Sequence, residues 1–391
     1  MSKKIEFLYT ILITFLLVLV FTFPRVLQIE KTILLVLILF TIFICSNLKL
    51  KTTFYINSLI YFSIFIIPLI SGVLFQNKFT YITSSLIINI VYPILLFLIF
   101  QFISIEKLTN IIFKSSFISI VITVILTINT LLYGFNLLPF NLNGMVYVDE
   151  QRIGIHNGYI HIINSPLSYL LFTIPVVFAE SRNINFKKFS FYSFLLLIVL
   201  VIVSGRRILI LPFLFILIIN IKRTWKTLIC ISFFVLVLFG SNSFRNFDLN
   251  IVIDRFKSAI NSDDNSDERN EQMIYFNKYI NQRPITGHGL GAFMRDYKRN
   301  DVFEMAYERT YHFYAFSLGI PIFIILMLYY FFLFYKSLKN NITNNVIKNG
   351  IILGVLTVLL ASYTNPYWLS SFDYCFPLAI LLRFSQKNNK V

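Results

Sequence analysis

Apolar runs separated by short polar connectors follow one another along most of the chain. They fall at about 6–23, 32–46, 54–75, 84–104, 117–138, 163–179, 189–204, 208–221, 228–240, 314–335, 350–366 and 371–384. A helix that crosses a bilayer needs about 20 apolar residues, with a range of about 17–25. The runs therefore predict an all-α, polytopic membrane protein with about twelve transmembrane helices. Two polar stretches are long, about 139–162 and about 241–313. The expected organisation is nine helices over 1–240, a long loop with an amphipathic helix over 241–313, and three more helices over 314–391.

Lysine and arginine test the alternation, because cytoplasmic connectors collect them. With the N-terminus inside, the inner segments hold Lys3 and Lys4, Lys49 and Lys51, Lys107 and Lys114, Arg182, Lys187 and Lys188, Lys222, Arg223 and Lys226, Lys336, Lys339 and Lys348, and Arg383, Lys387 and Lys390. Only Glu6, Glu106 and Glu180 oppose them there. The outer segments carry nearly balanced charge. Both termini are expected in the cytoplasm, both long loops outside, and the first apolar run is expected to be an uncleaved anchor.

Composition narrows the class. Hydrophobic residues make up 57% of the 391 positions and charged residues 13%, which excludes an ordinary soluble domain. The net charge of +16 is dispersed among connectors instead of forming one basic face, so a nucleic-acid partner is not expected. Cys45, Cys230 and Cys375 all fall in apolar runs and form neither a disulfide framework nor a metal spacing.

Two arginines break the apolar pattern most sharply. "LLLIVLVIVSGRRILILPFLFILIIN" lies between "FKKF" and "IKRTWK". Both flanks read as cytoplasmic, so the stretch is a hairpin and "SGRR" its outer turn. Each arm has about 14–16 residues, or about 21–24 Å at 1.5 Å per residue, short of the roughly 30 Å hydrocarbon core. Arg206 and Arg207 are thus expected below the outer surface. Either they snorkel to lipid phosphates, or they form an anion site at head-group depth, where a guanidinium fork matches phosphate oxygens.

In the long outer loop, "NSDDNSDERNEQMIYFNKYINQRPITGHGLGAF" begins with residues suited to a helix start. Arg269, Met273, Phe276 and Ile280 then share one helix face. Arg269 is expected on the buried side, in a salt bridge or on a substrate. Pro284, Gly287, Gly289 and Gly291 end the helix in a permissive loop that lacks the lysine of a P-loop. Farther on, Glu304, Glu308 and His312 are spaced by four. On one helix face, a carboxylate would orient the ring and raise its pKa. The alternative is an interfacial histidine at the mouth of a span. His156 and His161, five apart, do not suit a metal pair. Tyr363, Tyr367, Trp368 and Tyr374 flank the last outer turn, as an interfacial belt or as platforms for sugar rings.

Taken in order, these motifs resemble the bacterial O-antigen polymerase and O-antigen ligase family. The likeness rests on "SGRRILILP", on "ERNEQMIYFNKYINQRPITGHGLGAF" in a long outer loop, on "YHFYAFSLGIPIF" before the last three spans, and on "RIGIHNGYIHIINSP" before span six. Two features depart from the family pattern. Phe313, not asparagine, follows His312, and the doubled arginine leaves Arg206 and Arg207 as rivals for one role.

The resemblance implies a GT-C-like glycosyltransferase that needs neither metal nor other cofactor, in the bacterial inner membrane. Its donor would be an oligosaccharide on undecaprenyl pyrophosphate, so membrane lipid is a partner, and a chain-length regulator protein is a further one. Arg206 and Arg269, with Arg152 and Arg207 as binding residues, would hold the pyrophosphate. His312 would be the base, with Glu308 its rival. Arg283, His288 and Tyr311 are further substrate-binding candidates within the same motifs. A repeat-unit polymerase is the leading expectation, a ligase to lipid A core the alternative, and a flippase of lipid-linked oligosaccharide a third.

Overall fold

The computed structural model describes residues 3–45, 50–134, 137–142, 152–156, 159–163, 165–179, 197, 209, 211–213, 215, 266–298, 304–305, 307–340, 345–363, 365 and 369–386. The helices are α1 (Lys3–Thr22), α2 (Gln28–Cys45), α3 (Thr52–Ile64), α4 (Ile66–Leu74), α5 (Phe79–Leu86), α6 (Tyr92–Gln101), α7 (Ile105–Gly134), α8 (Leu170–Ala179), α9 (Ser266–Gln282), α10 (Thr310–Leu318), α11 (Ile320–Lys339), α12 (Asn345–Ala361) and α13 (Phe376–Phe384). The regular structure of the described residues is helical apart from one short antiparallel hairpin, β1 (Arg152–His156) and β2 (Tyr159–Ile163), in the long outer segment expected at about 139–162 and its boundary with the next span. In that hairpin Arg152 stands opposite Ile163.

Five described stretches are long and apolar enough to cross a membrane: Ile5–Thr22, Thr52–Leu74, Phe79–Gln101, Ile105–Thr130 and Ile320–Lys339. Leu167–Phe178 and Val346–Ala361 are shorter apolar helices. The runs expected at 189–204, 208–221 and 228–240 lie almost wholly outside the described residues. The tenth run begins later than its hydropathy suggests. Gly319, at φ 82°, and Pro321 break it, so α10 is a separate helix and the span proper starts at Ile320.

Several helix ends meet at one end of the bundle, here the basal end. An ion pair there joins Glu6 of α1 to Lys107 of α7. Two basic side chains are buried beside them. Arg383 donates from Nε to the Phe100 carbonyl at 2.7 Å and from a terminal nitrogen to that of Ile103 at 2.7 Å. Lys348 donates to the carbonyls of Leu338 (3.1 Å) and Asn340 (2.6 Å). The last carbonyls of a helix lack intrahelical donors and carry partial negative charge. These cations satisfy them where α6 and α11 end.

Small and hydroxylated residues bring the helices close. Thr109, Ser116, Ser119, Thr123, Thr127 and Thr130 lie buried along one side of α7, which packs on α1 and α8. At the α8–α12 crossing, a Cβ on Gly354 would stand 2.6 Å from the Phe172 carbonyl oxygen, and Thr357 donates to the Leu171 carbonyl at 2.5 Å.

Between α5 and α6 the chain makes one π-helical turn, Ile87–Val91, ahead of Pro93. Proline offers no N–H to the carbonyl four residues back and crowds it. That carbonyl belongs to Asn89 and accepts the Tyr61 hydroxyl at 2.6 Å. The Asn89 side chain is buried, donates to the Ser85 carbonyl and accepts the Tyr314 hydroxyl of α10 at 2.5 Å.

At the opposite end, Lys31 and Asp373 form a buried ion pair of 2.5 Å, their side chains 1% and 0% exposed. The Asp373 carboxylate also accepts the Arg25 N–H (2.8 Å) and the Gln28 side chain (3.1 Å), and Lys31 donates to the Phe23 carbonyl (2.6 Å). The start of α2 is thereby tied to the residues just before α13. Tyr374 is buried too, stacked on Tyr169 at 5.4 Å with its hydroxyl on Ser168. It is a core residue, which corrects its expected place in an interfacial belt.

Candidate functional site

Near the buried Lys31–Asp373 pair, α9, the loop 283–298 and α10 form a compact cap. Its own apolar centre is Phe276 of α9, Ala292, Met294 and Tyr297 of the loop, Tyr307, and Phe316 of α10. Phe276 is on the buried face of α9, as its spacing predicts. Gln272, one turn before Phe276, is buried as well, and its side-chain oxygen accepts the N–H groups of Glu308 (3.1 Å) and Arg309 (3.0 Å). Arg269 precedes Gln272 by three residues, in the first turn of α9.

The glycine loop is a packing device. Gly289 has φ 82°, and a Cβ there would come within 2.2 Å of the Gly72 nitrogen on α4. The converse contact is also too close for a side chain, since a Cβ on Gly72 would meet the Leu290 oxygen at 2.5 Å. The N–H groups of His288, Gly289 and Leu290 donate to the carbonyls of Phe316, Ser317 and Pro68 at 2.8–2.9 Å. Asn77 closes the wedge by donating to the carbonyls of His288 and Leu290. These amides are spent on protein acceptors, so the loop does not offer them to an anion.

The side chains of that loop are engaged as well. The His288 ring stacks on Phe316 at 4.8 Å, and its Nε2 lies 2.8 Å from the Tyr279 carbonyl. Burial holds its pKa below the usual histidine value, and nearby Arg283 adds to the shift. Arg283 places its guanidinium 3.6 Å from the centre of the Phe75 ring, a cation–π contact with the end of α4.

The expected Glu304–Glu308–His312 face is not formed. The helix begins only at Thr310, so neither glutamate shares it with His312. Glu304 instead pairs with Lys78 at 2.5 Å and Lys298 at 2.9 Å and accepts the Tyr81 hydroxyl. Its bonds from Lys78 and then Lys298 bring its pKa down to about 2. The charge that acts on His312 is Arg309, a cation. Burial first, and Arg309 second, lower the His312 pKa, the reverse of the rise that a neighbouring carboxylate would cause.

His312 and Arg309 stand together at the head of α10. The His312 ring lies 6.2 Å from Phe276 and 6.3 Å from Tyr363, and its Nδ1 is buried with no hydrogen-bond partner. The Arg309 guanidinium is 5.3 Å from the centre of the Tyr363 ring, and its Nε is likewise buried and without a partner. Tyr311, between them, donates its hydroxyl to the Leu359 carbonyl of α12, and burial pushes its pKa up to about 12. It braces α10, while Tyr363, 49% exposed, is the aromatic surface of this corner.

Of the residues singled out in the sequence, the structure thus brings His312 and Tyr311 together at the head of α10, with Glu308 adjoining in the chain. Arg283 and His288 sit on the glycine wedge. Arg152 is in β1 and Arg269 in α9, while Arg206 and Arg207 lie outside the described residues. Arg309 was not singled out. Its signal was its place three residues before His312 in "ERTYHFY", a stretch whose other candidates are Glu308, Tyr311 and His312.

None of the curated proteins matches the chain. Residues 192–318, which end with α10 and include α9 and the glycine wedge, match the O-antigen ligase family.

Proposed function

We propose that the protein is a membrane glycosyltransferase that polymerises a surface polysaccharide, O-antigen or capsule. It moves a growing glycan from undecaprenyl pyrophosphate to a sugar hydroxyl of another lipid-linked repeat. The family match supports the coarser function, a glycosyltransferase-like enzyme of the O-antigen ligase and polymerase type in a multi-pass membrane protein. One observation supports the transfer chemistry, which a polymerase and a ligase share. The matched segment ends in a helix whose head holds a buried histidine nitrogen without a partner, beside an arginine in the same condition.

The chemistry follows from those groups. A sugar hydroxyl attacks the anomeric carbon, the glycosyl–phosphate bond breaks, and the lipid pyrophosphate departs with the bonding electrons. His312, held neutral near pH 7 by burial and by Arg309, takes the hydroxyl proton. Arg206 or Arg207, with Arg269 and Arg152, stabilises the charge that grows on the leaving pyrophosphate, in place of a metal. The activated linkage supplies the driving force.

In this reading the fold is GT-C-like with twelve spans, and the basal end faces the cytoplasm. Lys107, Lys336, Lys339, Lys348 and Arg383 on that end support the orientation. A chain-length regulator would be a partner. The family description also favours a second reading, transfer of finished glycan to lipid A core.

The test is a gel of surface polysaccharide from a strain lacking the gene, with and without complementation by Arg206→Ala or His312→Ala. Collapse to a single repeat supports the polymerase. Long chains retained on the lipid carrier mark the ligase. An unchanged ladder overturns both and leaves the flippase.

A further inference from the structure

At the cap end, most described cations are already matched, and Arg295, which has no carboxylate partner among the described residues, is exposed to solvent. Lys31 meets Asp373, Lys78 and Lys298 meet Glu304, and Lys278 meets Asp296 at 2.8 Å. Arg283 is spent on the Phe75 ring. Arg309 differs. Among the described residues no carboxylate pairs with it, and its Nε is out of contact with solvent and without an acceptor. An unmatched buried guanidinium donor is costly to a fold. Here the cost falls beside a second unmatched polar atom, His312 Nδ1, with Tyr363 adjoining both. A guanidinium that rests on an aromatic face keeps its N–H groups in its own plane, where they suit two oxygens of one phosphate.

We propose that Arg309 is an anion-binding residue which, beside His312, takes a phosphoryl group of the substrate against the Tyr363 face. The proposal rests on the transferase reading and adds to it a guanidinium on the same helix as the base. A pyrophosphate bound at Arg309 lies within reach of the ring that receives the acceptor proton, so the leaving group and the acceptor hydroxyl meet at the head of α10. The shared ligand chemistry is pyrophosphate, borne by a lipid or free.

The full-length protein in detergent micelles is titrated with farnesyl pyrophosphate, with farnesol and with inorganic pyrophosphate. Wild type is expected to bind farnesyl pyrophosphate and not farnesol. Arg309→Met should weaken that binding about tenfold or more, the loss typical of a charge-assisted hydrogen bond, with the melting temperature held. A residue that only braced the fold would move the melting temperature and leave the affinity of the folded fraction alone. If Arg309→Met does not fold, Arg309→Lys decides, since it keeps the charge and loses the fork and should bind several-fold more weakly. Equal affinity in the folded variant overturns the role of Arg309 and leaves the transferase reading standing. Failure of wild type to bind any pyrophosphate overturns both. If inorganic pyrophosphate binds as tightly as the lipid and falls with it in Arg309→Met, the anion site stands and its ligand is free pyrophosphate.

Discussion

Asp373→Leu removes one half of an ion pair that has no water to fall back on. Lys31 and Asp373 are 2.5 Å apart and almost fully buried. Without the carboxylate, Lys31 keeps the Phe23 carbonyl as its only other described acceptor, while the Arg25 N–H and the Gln28 amide lose theirs. Breaking a buried pair from one side costs about 3–5 kcal/mol, because the surviving charge is stranded. Lys31→Met should cost about as much, since the carboxylate then keeps only neutral donors. The double variant strands no charge. Its remaining loss is the orphaned Arg25 N–H and neighbouring polar atoms, about 1–3 kcal/mol. Independent losses would sum to about 6–10 kcal/mol, so the double-mutant cycle should return a coupling of about 3 kcal/mol or more. Reversible unfolding of the full chain in mixed micelles, followed by tryptophan fluorescence or helical ellipticity, measures all four corners. A double variant as unstable as the sum of the singles would refute the reasoning, as would single losses below about 1 kcal/mol.

Gly289→Ala places a Cβ on the backbone of α4 at a positive φ. It should destabilise the cap by about 1–3 kcal/mol and speed limited proteolysis between 283 and 298. An unchanged cleavage rate would contradict the wedge. Tyr314→Phe leaves the Asn89 side-chain oxygen without its hydroxyl donor and should cost about 1–3 kcal/mol in the same unfolding assay. Because the folded His312 pKa is lowered, the unfolded chain binds more protons as pH falls below about 6.5. Its contribution to stability is complete above that value and is lost as pH falls through the lower folded pKa. The acid limb of transferase activity should follow the same window and shift toward pH 6.5 in Arg309→Met. A limb that stays in place would remove Arg309 from the control of His312.

Hydropathy alone located most of the described helices, because the distance across a bilayer imposes run length on the sequence. It misplaced the start of α11, since apolar character continues through Gly319 while the backbone does not. The face of α9 was legible through Phe276, whose spacing is a local property. The Glu304–Glu308–His312 grouping failed for a related reason. A spacing of four carries meaning only inside a helix, and nothing local marks Thr310 as the first helical residue. Lys31 and Asp373 were invisible as a pair because they stand 342 residues apart in sequence. Asp373 was visible as a lone charge at the margin of an apolar run, which is itself a signal, whereas Lys31 adjoins Glu30 and reads as half of a local pair. The glycine loop was read for its backbone freedom, yet its purpose came from Gly72, a partner far away in the chain.

Tyr314 gives the head of α10 a foundation in the bilayer. A proline at 93 opens a carbonyl, the π turn presents Asn89, and Tyr314 reaches it from the helix that carries His312. The glycine wedge grips the other end of that helix through Phe316 and Ser317. In the proposed reaction, then, the base need not be ordered anew each time a repeat is added. The entropy of positioning it has been met once, during folding, and is not charged to the barrier of every turnover. A polymerase built this way would have its pace set by the arrival and departure of its lipid carriers.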